Sequence, residues 1–125
     1  MTKSEGKVLQ VIVKAKDLAE HTYRVASNDK VFPKKYRFNI VNEMLCKSLH
    51  IHNKLLEANR TLLNDLGRRQ ELQTEAITYC EELQFYIELS VRLGILSYDR
   101  AEYWSGLVSD VKRMTLAWRK RDKER

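Results

Sequence analysis

The residues best suited to binding an anionic partner lie in one short segment, residues 32–38, where three cations are interspersed with three aromatic side chains. The cations are Lys34, Lys35 and Arg37, and the segment also holds Pro33, the one proline of the chain. A connector between helices needs only to turn, so two phenylalanines and a tyrosine here predict a fixed loop. Its positive charges would then be held at a defined place, where they can bind an anionic group.

Further cations cluster near the ends of the predicted helices. Residues 112–125 contain seven cations and two anions, which is +5 of the total net charge of +6. Dense lysine and arginine bind phosphates with little sequence information, although such a surface can also serve solubility alone. Tyr36 could add a platform on which bases stack. The residues predicted to bind nucleic acid or a partner are Lys34, Lys35, Arg37, Arg68, Arg69, Arg92, Arg100, Lys112, Arg113, Arg119, Lys120 and Arg121.

Catalytic and metal-binding motifs are missing from the sequence. There is no Glu-x-x-His pair, no Gly-rich phosphate loop and no nucleophile motif. His50 and His52 point in different directions on a helix, so they do not share one ion. A metal-dependent enzyme would require Cys46, His50 and Cys80 to converge. We therefore expect no enzyme activity, no catalytic residues, no metal and no cofactor.

Composition favours a single soluble helical domain with anionic partners. The chain has 125 residues, 32% of them charged and 43% apolar, and only four glycines, too few for the turns of an all-β fold. Its basic balance favours polyanions. The two cysteines lack a close spacing and are interpreted as reduced core thiols. No signal peptide and no stretch of about 18 apolar residues is recognisable, so we expect a cytoplasmic protein outside the membrane.

Apolar residues recur at spacings of three and four in four stretches, the pattern of amphipathic helices. These stretches cover about residues 3–26, 37–66, 68–93 and 98–118. Gly67 and Gly94 are predicted C-terminal caps, and Ser97 is the predicted N-cap of the fourth helix. Short connections between four such helices predict an all-α, antiparallel up-down-up-down four-helix bundle in residues 1–118, followed by a basic C-terminal tail in residues 119–125.

The apolar stripe of each stretch gives its expected buried side. The first stripe is Val8, Ile12, Ala15, Leu18 or Ala19, Thr22 and Val25. The second is Val41, Leu45, Leu49, His52, Leu55, Leu56, Leu62 and Leu66. The fourth includes two structural tryptophans and is Ala101, Trp104, Val108, Val111, Thr115 and Trp118.

The third helix carries more apolar surface than one stripe requires. Leu72, Ala76, Tyr79, Leu83, Tyr86, Ser90 and Leu93 form its stripe, and the helix adds Ile77, Cys80, Phe85, Ile87 and Leu89. A second apolar face indicates self-association. A central helix that touches two neighbours within one chain would show the same width.

Two parts of the sequence resemble one known family. Residues 30–40 read KVFPKKYRFNI, which resembles the FP-x-x-x-R-F/Y-x-L/I entry to the second helix in Avd proteins, the accessory variability determinants of diversity-generating retroelements. That family is similar to the four-helix bundle proteins encoded within intervening sequences of large ribosomal RNA. The C-terminal part resembles it through residues 94–97, Tyr103, Met114 and Trp118 with its basic end.

The resemblance implies a specific function. Avd proteins form homo-oligomeric barrels, typically pentamers, that bind the retroelement's reverse transcriptase and nucleic acid and have no catalytic residues. They support mutagenic copying of a template repeat into a variable gene, with adenines as the mutated positions. By matched position, Phe32, Pro33 and Phe38 would lock the first connector. The cations between them would face RNA, DNA or the polymerase, without strong sequence specificity.

Two functions from different classes follow. The first is an Avd-like accessory: a ring-like homo-oligomer, with a pentamer expected, that binds a reverse transcriptase and RNA or DNA. The alternative is a structural or scaffold bundle that binds an acidic protein partner and no nucleic acid. Salt-sensitive RNA binding distinguishes the two.

Overall fold

Four α-helices form the structure of this protein, a computed structural model that describes residues 3–125 apart from the side chain of Ser4. Helix α1 spans Lys3–Ala26, α2 Asn42–Arg60, α3 Leu66–Arg92 and α4 Tyr98–Lys123. A 3₁₀ turn, Lys34–Tyr36, and a π-helical turn, Arg37–Val41, lead into α2, and a second 3₁₀ turn, Leu63–Asp65, leads into α3. No strand occurs within residues 3–125.

The helices are antiparallel, and each one packs against two neighbours in the cyclic order α1, α2, α3, α4. Ion pairs between α2 and α3 show that these two helices run in opposite directions. The Nζ atom of Lys47 lies 3.5 Å from Glu82, and that of Lys54 lies 3.2 Å from Glu75, so a step forward along α2 is a step back along α3. The predicted all-α four-helix fold is confirmed.

The predicted stripes of α1 and α4 are the buried sides of those helices. The residues named for these two stripes are buried except Ala19, the alternative to Leu18, which is half-buried, and both tryptophans of α4 are fully enclosed. The indole Nε1 of Trp104 donates to Thr22 Oγ1 at 3.0 Å, and that hydroxyl donates to the Leu18 carbonyl at 2.8 Å. A buried donor is thereby satisfied inside the core, and α4 is tied to α1 at one end of the bundle.

The second helix is shorter than predicted. It ends at Arg60 and not at Leu66, because Thr61 takes an extended conformation. Asp65 then begins α3, since its carboxylate accepts a hydrogen bond from the Arg68 N–H at 3.4 Å, the geometry of an N-cap. Gly67 therefore lies in the first turn of α3, and its prediction as a C-terminal cap is wrong.

The buried side of α2 also differs from the predicted stripe. The buried residues are Met44, Ser48, Ile51, Leu55 and Ala58. Five of the six leucines predicted to be buried are partly or largely exposed: Leu45, Leu49, Leu56, Leu62 and Leu66. The prediction followed the large apolar residues and therefore missed the small residues Ser48 and Ala58, which are fully buried.

Gly94 and Ser97 have their predicted roles in the turn between α3 and α4. Gly94 has a φ of 75°, and its N–H donates to the Val91 carbonyl while the Ile95 N–H donates to the Ser90 carbonyl, both at 2.9 Å. This pair of bonds is a Schellman motif, which ends a helix with a residue in left-handed geometry. The Ser97 hydroxyl then accepts from the Arg100 N–H at 3.3 Å.

The fourth helix continues beyond its predicted end at Trp118 to Lys123. The cause is Asp122, which is 1% exposed and whose carboxylate accepts 2.7 Å and 2.8 Å hydrogen bonds from Arg69 Nε and Gln73 Nε2 of α3. Arg69 also donates to the Thr61 carbonyl at 2.9 Å, and its guanidinium lies over the Trp118 ring at 5.1 Å. The last turns of α4 are thus fixed by a buried polar network.

We expect Asp122→Ala to reduce the free energy of unfolding by about 3 kcal/mol, because it leaves the buried Arg69 guanidinium without its counter-charge. Urea unfolding followed by circular dichroism measures the change. The control is Glu88→Ala, which breaks the exposed ion pair with Arg92 and should cost less than about 1 kcal/mol. Equal losses in the two variants would show that the buried network adds nothing.

Candidate functional site

A groove between α1 and α4 gathers cations from both helices. Its walls include Lys7 and Lys14 of α1 and Arg113 and Arg121 of α4, with Asp110 as its one anion, and it encloses about 370 Å³. We call this the α1/α4 groove. The two lysines are seven residues apart and therefore project from the same side of their helix. The sequence prediction omitted both lysines. Their i, i+7 spacing beside the apolar stripe of α1 was the feature of the sequence that indicated a shared face.

The cations of the α1/α4 groove are mostly free of counter-charges. Within residues 3–125, the side chains of Lys7, Lys14 and Arg121 form no ion pair. Arg113 approaches Asp110 at 3.6 Å, but both groups are well exposed, so the pair is weak. Lysine and arginine side chains in this state can neutralise phosphates without first breaking protein contacts.

Cations on the opposite side of the bundle are paired with glutamates. Lys47 contacts Glu43 at 2.8 Å and Glu82 at 3.5 Å, and the hydrogen bond that its ammonium donates to Glu43 is the main reason that the pKa of Lys47 is raised. Lys54 contacts Glu75, which raises the pKa of that lysine through a side-chain hydrogen bond. These lysines hold α2 against α3 and are already neutralised.

The charge of the molecule is therefore divided between two faces. Helices α1 and α4 carry twelve cations and seven anions, whereas α2 and α3 carry six cations and seven anions. The connector before α2 adds four cations and one anion. The excess positive charge lies on α1, on α4 and on this connector.

The predicted site residues fall into different environments. Lys34, Lys35, Arg37, Arg100 and Lys120 are exposed, and Arg119 and Arg121 are half-buried. Four others are in ion pairs: Arg68 with Glu71, Arg92 with Glu88, Arg113 with Asp110, and Lys112 with Glu81. The prediction that Arg69 binds nucleic acid or a partner is wrong. This side chain is only 8% exposed and is held by Asp122, so a polyanion outside the bundle cannot reach it.

The aromatic residues of the first connector divide into buried and exposed ones. Phe32 is buried and meets the Trp104 ring edge-on, with the centroids 6.4 Å apart. Pro33 precedes the 3₁₀ turn, and Tyr36 packs half-buried against the core, with Lys35 Nζ 5.2 Å from its ring centroid. Phe38 is 90% exposed, so the expectation that it locks the connector is wrong.

His21 lies beside α4 but adds no positive charge at neutral pH. Its ring packs edge-on against Tyr103 and Trp104, with centroid distances of 5.0 Å and 5.9 Å. Partial burial lowers the pKa of His21, and the nearby Arg100 charge lowers it further. At neutral pH the positive charge at this end of α4 therefore comes from Arg100 and not from His21.

The thiols and histidines do not form a metal site. In the described part of the chain, no three histidine, cysteine, aspartate or glutamate side chains lie close enough to hold a metal ion. The His50 ring lies tilted against the Tyr79 ring, with the centroids 5.0 Å apart, and burial raises the pKa of the Cys80 thiol to about 12. None of the helices within residues 3–125 combines the length and apolar character that a membrane span needs.

Comparison with known proteins gives a fold relationship. The structure is similar to that of a protein of unknown function from the S23 ribosomal protein family of Bacteroides thetaiotaomicron, with a TM-score of 0.81 over 91% of this chain and 98% of that chain. The two sequences are 14% identical, so the similarity shows the fold alone. No protein-family model and no curated protein matches this sequence. Membership of the Avd family stays a prediction.

We expect Cys80 to be unreactive in the folded protein, because the thiolate is the nucleophile and burial keeps this thiol protonated at pH 8. In the Cys46→Ser variant, Ellman's reagent should find no rapidly reacting thiol until guanidinium unfolds the chain, when one thiol should appear. Rapid reaction of the folded variant would contradict this burial. The unfolded sample is the internal control for reagent and thiol content.

Proposed function

We propose that this protein is a non-catalytic accessory of a diversity-generating retroelement that binds nucleic acid and the element's reverse transcriptase. The charge distribution supports the nucleic-acid part. Lys7, Lys14 and Arg121 of the α1/α4 groove form no ion pair within residues 3–125, and Arg113 has only a weak, exposed one, whereas Lys47 and Lys54 between α2 and α3 are neutralised by glutamates. Such a surface binds the phosphate backbone of RNA or DNA of any sequence. An accessory to the copying of varied templates needs this kind of binding.

The polymerase part of the proposal rests on the resemblance of residues 30–40 to the Avd family. The structure places the cations of that segment, Lys34, Lys35 and Arg37, on the surface, where a protein or nucleic acid can reach them. Co-expression with the reverse transcriptase of a retroelement tests this part, and we expect the two proteins to purify together. If the reverse transcriptase does not purify with this protein while RNA binding is retained, the polymerase part of the proposal is wrong.

Self-association is the third part of the proposal, and the outer face of α3 supports it. Phe85 remains 56% exposed and meets Tyr86 edge-on at 5.3 Å, beside the neutralised Lys47. An apolar ring pair next to paired charges is suited to burial against another copy. We propose a cyclic homo-oligomer, with a pentamer as the expected size, in which each copy uses this face.

The alternative is a scaffold bundle that binds an acidic protein partner through the same cations. Both functions use positive charge. Only nucleic-acid binding predicts an affinity for RNA whose logarithm falls linearly with the logarithm of the salt concentration, because each neutralised phosphate releases counterions. A salt titration with RNA therefore separates the two proposals. Absence of RNA binding at low salt would leave the scaffold as the better explanation.

We expect the double variant Lys7→Gln/Lys14→Gln to weaken RNA binding and to reduce its salt dependence. Each phosphate contact to single-stranded RNA contributes about 0.7 to the slope of log affinity against log salt concentration, so the slope should fall by about 1.4. Fluorescence anisotropy with a labelled oligouridylate across a potassium chloride series measures both quantities.

The matched control for that experiment is Lys16→Gln/Lys123→Gln. It removes the same net charge from α1 and α4, and both residues are exposed and form no ion pair within residues 3–125 but do not line the groove. Lys16 lies about 200° around the helix from Lys14. Equal loss of binding in the two double variants would show that net charge alone attracts RNA and that the α1/α4 groove is no site.

We expect Phe85→Glu to convert the oligomer into monomers, because a carboxylate would be buried without a partner in the apolar contact. Gel filtration with light scattering gives the mass. Val13→Glu is the control, since Val13 is similarly exposed, at 52%, but lies on α1. A wild-type chain that is monomeric at all concentrations would contradict the oligomer, and an unchanged oligomer in Phe85→Glu would contradict its placement on α3.

A further inference from the structure

Phe38 is the most exposed large apolar side chain in the described part of the protein, at 90%. Its position arises from the π-helical turn Arg37–Val41. In a regular α-helix, a residue three positions before the buried Val41 would face the core. The wider π turn instead brings Tyr36, five positions before Val41, against the core and leaves Phe38 in solvent. Single π turns inside helices are frequent at functional sites.

The surroundings of Phe38 are positively charged. Lys34, Lys35 and Arg37 lie within four residues of it and are all exposed, and we call these three cations with Phe38 the basic aromatic corner. Phe38, Lys34 and Arg37 line a groove of about 300 Å³. The one anion of this groove is Asp29, which approaches Arg37 at 3.6 Å with both groups half-exposed, so that contact is weak.

We propose that the basic aromatic corner binds an unpaired nucleotide, with its base stacked on Phe38 and its flanking phosphates neutralised by Lys34, Lys35 and Arg37. The inference deepens the proposed nucleic-acid function and rests on it. An aromatic ring beside cations is the arrangement by which proteins bind single strands without reading sequence, because every base has a π face. A duplex keeps its bases stacked inside and cannot offer one to this ring.

Charge complementarity favours a nucleotide over an apolar peptide at this corner. The connector from Ser27 to Val41 carries four cations against one anion, so an occupant needs negative charge next to a flat apolar group. A nucleotide has both within one residue. Tyr36, which the sequence indicated as a stacking platform, has its ring against the core and is the less accessible of the two.

The test compares two oligonucleotides of equal length and charge, an oligouridylate and its abasic counterpart, with wild type and Phe38→Ala. We expect Phe38→Ala to weaken oligouridylate binding by about 5- to 100-fold and to leave the abasic strand unaffected. Phe38→Trp should restore binding, whereas Phe38→Leu should not, because leucine keeps apolar contact but loses the stacking face. Fluorescence quenching of a 2-aminopurine base should disappear in the alanine variant.

Tyr98→Ala is the matched control, since Tyr98 is 80% exposed but shares its groove with the anions Glu88 and Glu102. It should leave oligouridylate binding unchanged. Equal affinities of wild type and Phe38→Ala for oligouridylate would overturn the stacking site while leaving the proposed phosphate binding intact. Two other results would overturn the stacking site in favour of a protein partner. One is full oligouridylate binding by Phe38→Leu. The other is displacement of the oligonucleotide by an acidic apolar peptide that occurs only when Phe38 is present. No binding of either strand would overturn the proposed function itself.

Discussion

The buried ion pair between Arg69 and Asp122 is the constraint on which the basic end of the bundle depends. It joins the first turns of α3 to the last turns of α4 and makes the end of α4 part of the core. Without it, the closely spaced cations of residues 119–123 would repel one another at a frayed helix end. With it, those side chains emerge from a fixed backbone, and the same cations interact favourably with the C-terminal end of the helix dipole.

The fold was predictable where apolar residues alone determined burial. In α1 and α4 the buried side coincides with the large apolar residues, so the stripes gave the correct face. In α2 the buried side includes the small residues Ser48 and Ala58, which a search for large apolar residues does not find, so the predicted stripe of leucines lies partly on the exposed side. The end of α2 was missed for a local reason, since Thr61 takes an extended conformation and the helix does not continue to Leu66.

The site was predictable in its charge and less so in its residues. Lys7 and Lys14 were omitted because they do not form a run in sequence, and only the packing of α1 against α4 brings them beside Arg113 and Arg121. Arg69 was included because a run of two arginines resembles a surface patch, whereas its counter-charge lies 53 residues away in α4. The residues around Arg69 in the sequence do not indicate a partner that is so far away along the chain.

The proposed nucleic-acid binding and the proposed self-association require two faces with different electrostatics. Copies of a chain with a net charge of +6 repel one another, so they can associate only where charge is already neutralised. The face of α2 and α3 meets this condition, since Lys47 and Lys54 are paired with glutamates there. Association through that face would leave the α1/α4 groove of every copy uncovered. Repeating one weak phosphate site around a ring would then raise the affinity for a long polyanion through avidity, with no change in any single contact.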